Sequence, residues 1–457
     1  MSGTSSLMRV FAYTAVLTAA LNILYGFEIN ENDLFSEPVI SSNTGSTGSN
    51  ASHPALDRLS DSTPEKSAAA LGGALMSRAL YSVHRNTVYS NHTWDTNQVR
   101  QYFEIGLDLE VRLPKGFKSY VDFLIYYSPA GIHYTNYYFL QGSPYPGYVA
   151  VPASQYFSFS LNEFFFDCNA ANAVWMRLGM QVLKWGRGML WNPSDLINWD
   201  KKSFEDMNRQ RRGVTGIKVH IPVKTYFNFY SFINMDDVEK PNNYTYALKT
   251  EALLGGMEAA LGCLLKKTNH TVWTLDFSKG LRGWNFYGEG AYLPEYTKTI
   301  YRVSGTNVTN YQPDKQTGKV VLGVHKSFNK DKCTAAIEGY YNGEGYNFNV
   351  YRHKIYTTIT NTNSAYLTDN RMELNRWYAA AFFSWTGLFR QTTTLTCNAL
   401  CNLNDRSFIL TPQLTFSPVD QFSISLMPVL YPGKSRRSEF TSRDVFSEVF
   451  LDVKIVF

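Results

Sequence analysis

The sequence predicts an all-β fold: a transmembrane, antiparallel, up-and-down β-barrel of about 18 strands, with roughly 14 to 18 strands compatible with the pattern. Three observations lead to this prediction. Apolar residues recur at every second position over many segments, and short and long connections alternate along the chain. Aromatic residues make up 15% of the chain and charged residues only 18%, a composition that suits aromatic belts at two lipid–water interfaces.

The alternation is clearest over residues 101–114. Phe103 and Leu107 fall on one face of an extended segment, whereas Glu104 and Asp108 fall on the other. A helix would scatter these residues around its circumference, so the period is that of a strand. The predicted strands are 78–90, 101–114, 118–129, 157–167, 174–184, 214–223, 225–233, 244–254, 256–264, 270–278, 283–293, 319–328, 333–343, 376–386, 390–400, 407–416, 420–430 and 446–457.

The connections between these strands form two alternating sets. One set is short and turn-like, and the other contains every long connection, including 130–156, 185–213 and 344–375. Two short connections, 265–269 and 401–406, also belong to the second set. Turns on the periplasmic side and long loops outside are typical of transmembrane barrels, and an even strand count places both termini in the periplasm. A soluble multi-domain β protein is the alternative.

Composition also narrows the function. The formal net charge of +5 is too small to predict nucleic acid as a partner. The five cysteines are scattered, with no spacing typical of a metal site. We predict no metal and no cofactor, and because no catalytic constellation emerges we predict that the chain is not an enzyme.

The N-terminal region has two parts. In residues 1–26, Arg9 precedes an apolar stretch followed by small residues, which predicts a signal peptide. An uncleaved anchor is the alternative. Residues 27–77 are rich in Ser, Thr, Asn and Gly and predict a flexible, polar periplasmic leader, with a plug in the lumen as the alternative. The barrel is then predicted to span 78–457.

The chain ends on a strand with one apolar face, formed by Val449, Leu451, Val453, Ile455 and Phe457. It resembles the C-terminal assembly signal of bacterial outer-membrane β-barrels, an alternating strand that ends in Phe. The resemblance implies a location in the bacterial outer membrane. It also implies outer-membrane lipid and the barrel-assembly machinery as partners, with Val453, Ile455 and Phe457 carrying the signal.

The connection 185–213 contains Trp185, Trp191 and Trp199 among many charges. A loop with this much apolar content usually packs on something, so we expect it to fold back into the barrel; an exposed loop is the alternative. It is the third long connection, and it resembles the third loop of many general porins, which folds inward and narrows the pore. The same resemblance allows a homotrimer.

A short motif supports the comparison with large barrels. Gly179-Met-Gln181 runs into Trp185-Gly186 and then into Pro193-Ser-Asp195. This order is similar to a pattern in large Gram-negative barrels, which include porin-like families of uncharacterised function and exporters of acidic polysaccharide. It covers about twenty residues, and it selects no particular substrate.

These arguments give a set of candidate pore residues. The predicted pore-lining or constriction residues are Arg177, Gln181, Trp185, Arg187, Asp195, Arg209, Arg211, Arg212 and Lys218. Other inward strand positions are mixed in sign, among them Lys249, Glu251, Glu258, Asp276 and Glu338. Residues 186–213 hold six basic and four acidic side chains, which predicts a mild preference for anions, since arginine forks suit carboxylates and phosphates.

The predicted function is therefore an outer-membrane porin that passes small hydrophilic solutes by passive diffusion. The first alternative is a substrate-specific transporter for hydrophobic ligands such as fatty acids, with a lateral opening near 128–131. The second alternative is a surface adhesin, because the loops 294–318 and 344–375 are rich in Tyr and Asn.

Overall fold

The computed structural model describes the barrel and most of its connections. The described residues are 68–84, 98–113, 116–129, 131–137, 147–153, 156–170, 173–183, 185–195, 197, 204, 211–236, 244–266, 269–304, 307–362, 366–367, 370–433, 437–442 and 445–457. The predicted signal peptide and residues 27–67 of the predicted leader lie outside them.

Eighteen strands form one antiparallel sheet. They are β1 (Ala68–His84), β2 (Gln98–Leu113), β3 (Phe117–Ser128), β6 (Tyr156–Ala170), β7 (Val174–Gln181), β8 (Val214–Val223), β9 (Phe227–Asn234), β10 (Thr245–Leu254), β11 (Met257–Lys266), β12 (Asn269–Leu281), β13 (Trp284–Leu293), β16 (Thr317–Phe328), β17 (Cys333–Asn342), β18 (Trp377–Gly387), β19 (Thr393–Asn402), β20 (Ser407–Val419), β21 (Phe422–Leu430) and β22 (Val445–Val456). Each pairs with the next along the chain, and β22 pairs with β1, so the sheet closes into a barrel.

Every predicted strand overlaps an observed one, which confirms the antiparallel barrel. The boundary at residue 78 is wrong, because β1 begins at Ala68 and residues 68–77 belong to the sheet rather than to the leader. This stretch is rich in Ala and Gly, which lack strong β propensity. It is extended because it pairs with the long strand β2, with Leu71 opposite Leu109.

The long connections contain further structure. Two hairpins lie in them, β4 (Gly131–Tyr137) with β5 (Gly147–Ala153), and β14 (Ile300–Ser304) with β15 (Asn307–Tyr311). The β17–β18 connection carries a 3₁₀ helix (Val350–Arg352) and α1 (Lys354–Thr362), and α2 (Leu388–Gln391) forms the β18–β19 turn. Among the described residues, no helix has both the length and the apolar character needed to cross a bilayer.

The two faces of the sheet differ sharply. Leu275, Leu322 and Ile337 are 56%, 59% and 63% exposed on the outer face. On the opposite, inner face, Glu289 and Glu338 are buried. Along the eighteen described wall strands, alternation places only two charged side chains outward, both near the turns, Lys279 and Lys326. The apolar face therefore points out of the barrel and the polar face points in.

Candidate pore constriction

The connection between β7 and β8 turns into the barrel as soon as β7 ends. Gly179 has a positive φ of 126°, and a Cβ there would overlap the carbonyl oxygen of Phe164 on the neighbouring strand. Beyond β7, the backbone N–H of Val182 donates to Oε1 of Glu163 at 2.6 Å. The described residues among 182–213 are called the inner loop below.

The first part of the inner loop packs against the wall formed by β8, β9 and β10. Trp185 is buried in a cluster with Leu183, Phe232 and Ala247. Ile197 is buried in the same cluster, whereas Trp199 lies outside the described residues. The burial of Trp185 on inward-facing strand residues is the arrangement expected of a loop that folds into the lumen.

Arg187 reaches the next part of the wall. Its guanidinium lies 2.6 Å from Glu258 Oε2, 3.1 Å from Asp276 Oδ1 and 3.8 Å from Glu251 Oε1, carboxylates on β11, β12 and β10. Lys249 Nζ joins the group, 2.9 Å from Glu251 and 3.2 Å from Asp276. The cluster holds two cations among three carboxylates, so the positive charge of Arg187 is fully compensated where it lies.

Two buried carboxylates then hold the backbone of the loop. Gly188 N–H donates to Glu289 Oε1 at 3.2 Å. Glu338, which is 0% exposed, accepts from the N–H groups of Met189, Leu190 and Trp191 at 2.6, 3.1 and 3.0 Å. Buried carboxylates are tolerated when hydrogen bonds satisfy them, and Glu338 on β17 is satisfied mainly by the loop.

The loop needs glycine where it meets this wall. A Cβ at Gly188 would overlap the carbonyl oxygen of Trp191 and crowd Oε1 of Glu289. Ser194 Oγ also donates to Glu289. The tight approach of backbone to carboxylate therefore depends on a residue without a side chain.

Beyond these anchors the loop reaches β17 and β18, on a part of the wall far from β7 in strand order. The Trp191 ring stacks on Tyr340 with centroids 5.1 Å apart and lies 5.9 Å from Tyr378. Phe204 lies 6.4 Å from Phe382. These residues belong to an apolar cluster inside the barrel, and so the inner loop crosses the lumen.

The base of the loop is closed by an ion pair. Arg211 Nη1 lies 3.1 Å from Asp195 Oδ2, and its Nη2 lies 3.5 Å from the carbonyl oxygen of Leu183. Arg212 follows, half-buried, and Arg209 lies outside the described residues.

The remaining predicted residues lie on the wall. Arg177 on β7 makes two hydrogen bonds of 2.6 and 2.9 Å to Asp167, and its guanidinium stacks 3.8 Å above the Phe165 ring. Lys218 on β8 is opposite Arg177 in the register, with its Nζ 5.9 Å from the Tyr230 ring. Gln181 is also buried.

The structure thus brings Trp185, Arg187, Asp195 and Arg211 together in the inner loop, but it pairs both arginines with carboxylates. Sequence reasoning placed Glu338 inward without assigning it the role of anchor, and it missed Glu289. Glu289 lies between Gly288 and Gly290 and is the one charged residue of its strand, a signal that could have marked it.

At the loop end of the barrel, Glu439 joins three connections. Its carboxylate accepts from Met372 N–H at 2.7 Å, from Tyr378 OH at 2.9 Å and from Asn402 Nδ2 at 2.6 Å. Its own N–H donates to Asp405 at 2.6 Å. Burial, together with the neighbouring Asp405 carboxylate, raises the pKa of Glu439 to about 7. We call this group the rim clasp.

Within the described part of the chain, no group of His, Cys, Asp and Glu side chains has an arrangement that could hold a metal ion.

No protein-family model matches the chain, and no curated protein matches it at a significant level. Solved structures do match. OccK8 (OprE) of Pseudomonas aeruginosa gives a TM-score of 0.50 at 9% identity, covering 85% of this chain and 98% of that one. A BenF-like porin from Pseudomonas fluorescens gives 0.49 at 10% identity, covering 85% and 98%. OccAB4 of Acinetobacter baumannii gives 0.48 at 8% identity, covering 86% and 98%. The likeness to OccK8 shows the fold, a porin-type barrel.

Proposed function

We propose that this protein is a porin of the bacterial outer membrane that passes small hydrophilic solutes by passive diffusion through a lumen narrowed by the inner loop. The observation that carries the proposal is the inner loop itself. It leaves β7, contacts carboxylates on β10 to β13 and β17, and reaches an aromatic residue of β18 before it returns to β8. A barrel of eighteen strands is wide enough for a channel, and a loop anchored across it sets the size of that channel.

The outer face supports a membrane location. Trp273, Tyr292 and Trp377 are exposed near the loop end, and Trp284 and Trp385 near the turn end. Eight residue steps separate Trp284 from Tyr292, about 26 Å along a strand and roughly 20 Å along the axis of a barrel tilted by about 40°. An apolar band of this height flanked by aromatic residues suits a bilayer.

Weak selectivity follows from the pairing of charges. Arg187 is matched by Glu251, Glu258 and Asp276, and Arg211 by Asp195. Because these cations are compensated locally, they contribute little to a preference for anions. The mild anion preference expected from the loop composition stays a prediction, as does a homotrimer.

Conductance in planar bilayers tests the proposal. The purified, folded protein should insert in discrete steps, and its reversal potential in a KCl gradient should be small, with the sign of a mild preference for chloride. A heat-unfolded sample is the control and should give no steps. A folded sample that inserts but gives no stepwise conductance would contradict a water-filled channel.

A further inference from the structure

The β20–β21 seam contains two prolines that lie directly opposite each other. The register pairs Leu410 with Leu430 and Leu414 with Leu426. It therefore sets Pro412 on β20 across from Pro428 on β21. In this register, residues 411–413 have no paired residue on β21, whereas β19 and β20 pair without interruption from residue 407 to residue 416.

The pairing pattern shows where both ring nitrogens point. In an antiparallel ladder, directly opposed residues alternate between pairs that exchange two hydrogen bonds and pairs that exchange none. Loss of three consecutive pairs centred on Pro412 and Pro428 is the result expected if these two residues hold a hydrogen-bonding position. The pairs on the opposite side of each proline support this assignment. A residue whose N–H points to one neighbouring strand does not use it for the other, and Pro412 stays paired with Cys397 and Pro428 with Val449.

Both missing donors are therefore concentrated in one seam. Proline has no N–H, so each proline carbonyl faces a nitrogen that cannot donate to it. Proline in a sheet is usually confined to edges and bulges, and a closed barrel has no edge. Pro412 and Pro428 are both exceptions to this rule, and they lie opposite each other in the same seam.

The missing pairs at residues 411–413 lie on a part of the wall where they are especially costly. Pro412 lies on the outer face midway between Phe408 and Phe416, both exposed aromatic residues. Given the proposed membrane location, on which this inference rests, the break lies near the middle of the hydrocarbon layer. Unpaired backbone groups are especially unfavourable there, because no water can satisfy them.

The inner side of the same seam is apolar. Ile409, Met427 and Val429 are buried there, in the cluster that includes Leu190 and Trp191 of the inner loop. Beside them Thr411 is 2% exposed, and its hydroxyl has no hydrogen-bond partner. An acyl chain that crosses here passes from lipid to an apolar cluster, and the polar groups along its way are the two proline carbonyls and the Thr411 hydroxyl.

We propose that the β20–β21 seam is a lateral opening, through which the acyl chain of a membrane amphiphile enters the apolar cluster inside the barrel. The occupant is a single aliphatic chain, because the path is apolar and the break spans only residues 411–413 on β20. This role goes beyond the diffusion of hydrophilic solutes, which follows the lumen and not the wall.

Photo-crosslinking from the bilayer tests the opening. The full-length protein would be reconstituted in vesicles containing a phospholipid with a diazirine in its acyl chain, and labelled residues mapped by mass spectrometry. Outward residues Leu414 and Leu426 should be labelled if the barrel is embedded in lipid. Inward residues Met427 and Val429 should be labelled only if the seam opens. Ala291, a buried inward residue of the uninterrupted β13 wall that lies in a different apolar cluster, should not be labelled.

The membrane location and the lateral opening are contradicted by different labelling results. Absence of label on Leu414 and Leu426 would overturn the membrane location. Label on these outward residues without label on Met427 or Val429 would overturn the lateral opening alone.

Closing the seam provides the matched variants. The double substitution Pro412→Val, Pro428→Val restores both N–H donors and should reduce inward labelling at least tenfold while leaving single-channel conductance unchanged. A reversible lock keeps the test independent of that variant's folding. The variant Thr411→Cys with Val429→Cys is made in a background lacking the native cysteines. It should lose the label on Met427 when the new pair is oxidised to a disulfide and regain this label on reduction. Inward labelling that persists in the oxidised form would overturn the proposal.

Discussion

The carboxylate of Glu338 is the main polar anchor of the inner loop. It accepts from three consecutive backbone N–H groups of the inner loop and from Tyr287 OH at 2.9 Å. A hydrogen bond to a charged group is worth about 1.5–3 kcal/mol. The inner loop therefore depends on this carboxylate more than on any surface ion pair.

We predict that Glu338→Ala frees the inner loop from the wall, because it leaves three backbone donors without their acceptor. The loop packing should weaken by roughly 3 kcal/mol or more, and mean single-channel conductance should rise with added noise. Glu110→Ala is the matched control, since Glu110 is an inward carboxylate that pairs with Arg112 and Lys118 instead of the loop. Equal effects of the two variants on conductance would contradict the anchoring role.

Glu439 should make the rim clasp sensitive to pH. Its pKa is raised to about 7 in the folded protein from an ordinary value of 4.5, so the folded state favours the protonated form. The stability that this shift contributes, on the order of 3 kcal/mol at most, is complete below pH 4.5 and is lost as the pH rises through 7.

We therefore expect the connections at the rim to open more readily at pH 8 than at pH 5. Trypsin cleavage after the exposed Arg437 should be faster at the higher pH, after correction for the activity of the protease. Glu439→Gln resembles the protonated form and should be cut at a rate that no longer depends on pH. A variant that keeps the wild-type pH dependence would rule out Glu439 as the titrating group.

At the scale of elements, the inner loop combines a polar anchor with an aromatic one. We predict that Trp191→Ala loosens its far end by about 3–5 kcal/mol, because the Trp191 ring packs against both Tyr340 and Tyr378. Single-channel recordings should show more frequent transitions between sublevels. Trp385→Ala, which alters an exposed ring on the outer face, should leave these recordings unchanged.

The strands were predictable because one face of each is apolar and the other polar, a contrast that survives in a single sequence. The inner loop was predictable as a packed segment from its tryptophans. Its partners were not, since the contacts of Arg187 with β10, β11 and β12 depend on how three strands are registered. The start of β1 was missed because Ala and Gly carry little pattern, and pairing with β2 decides their conformation.

At the scale of the whole molecule, Phe457 extends the seam in which β22 pairs with β1 and closes the barrel. Phe457 and Gly73 exchange two backbone hydrogen bonds of 2.9 and 3.0 Å, and a Cβ on Gly73 would crowd the Phe457 ring. Phe457, which carries the resemblance to an assembly signal, therefore also makes a contact in the β1–β22 seam that closes the barrel.

We predict that deleting Phe457 lowers the yield of folded barrel severalfold, because it removes both hydrogen bonds and the ring at the closing seam. The yield can be measured by the shift in electrophoretic mobility between heated and unheated samples. Phe389→Ala is the control, since Phe389 is 78% exposed in the β18–β19 turn and makes no part of the closure. A deletion that folds as well as this control would contradict the role of Phe457.

The long sequence separation of the inner loop from its anchor constrains the order of biogenesis. Met189 and Glu338 are 149 positions apart, and the ring is sealed only when β22 meets β1. The contact of the inner loop with Glu338 therefore forms only after β17 has joined the sheet. We expect Glu338→Ala to accumulate, in pulse-labelled cells, barrels whose inner loop is cut by added protease, because the loop lacks its acceptor on β17.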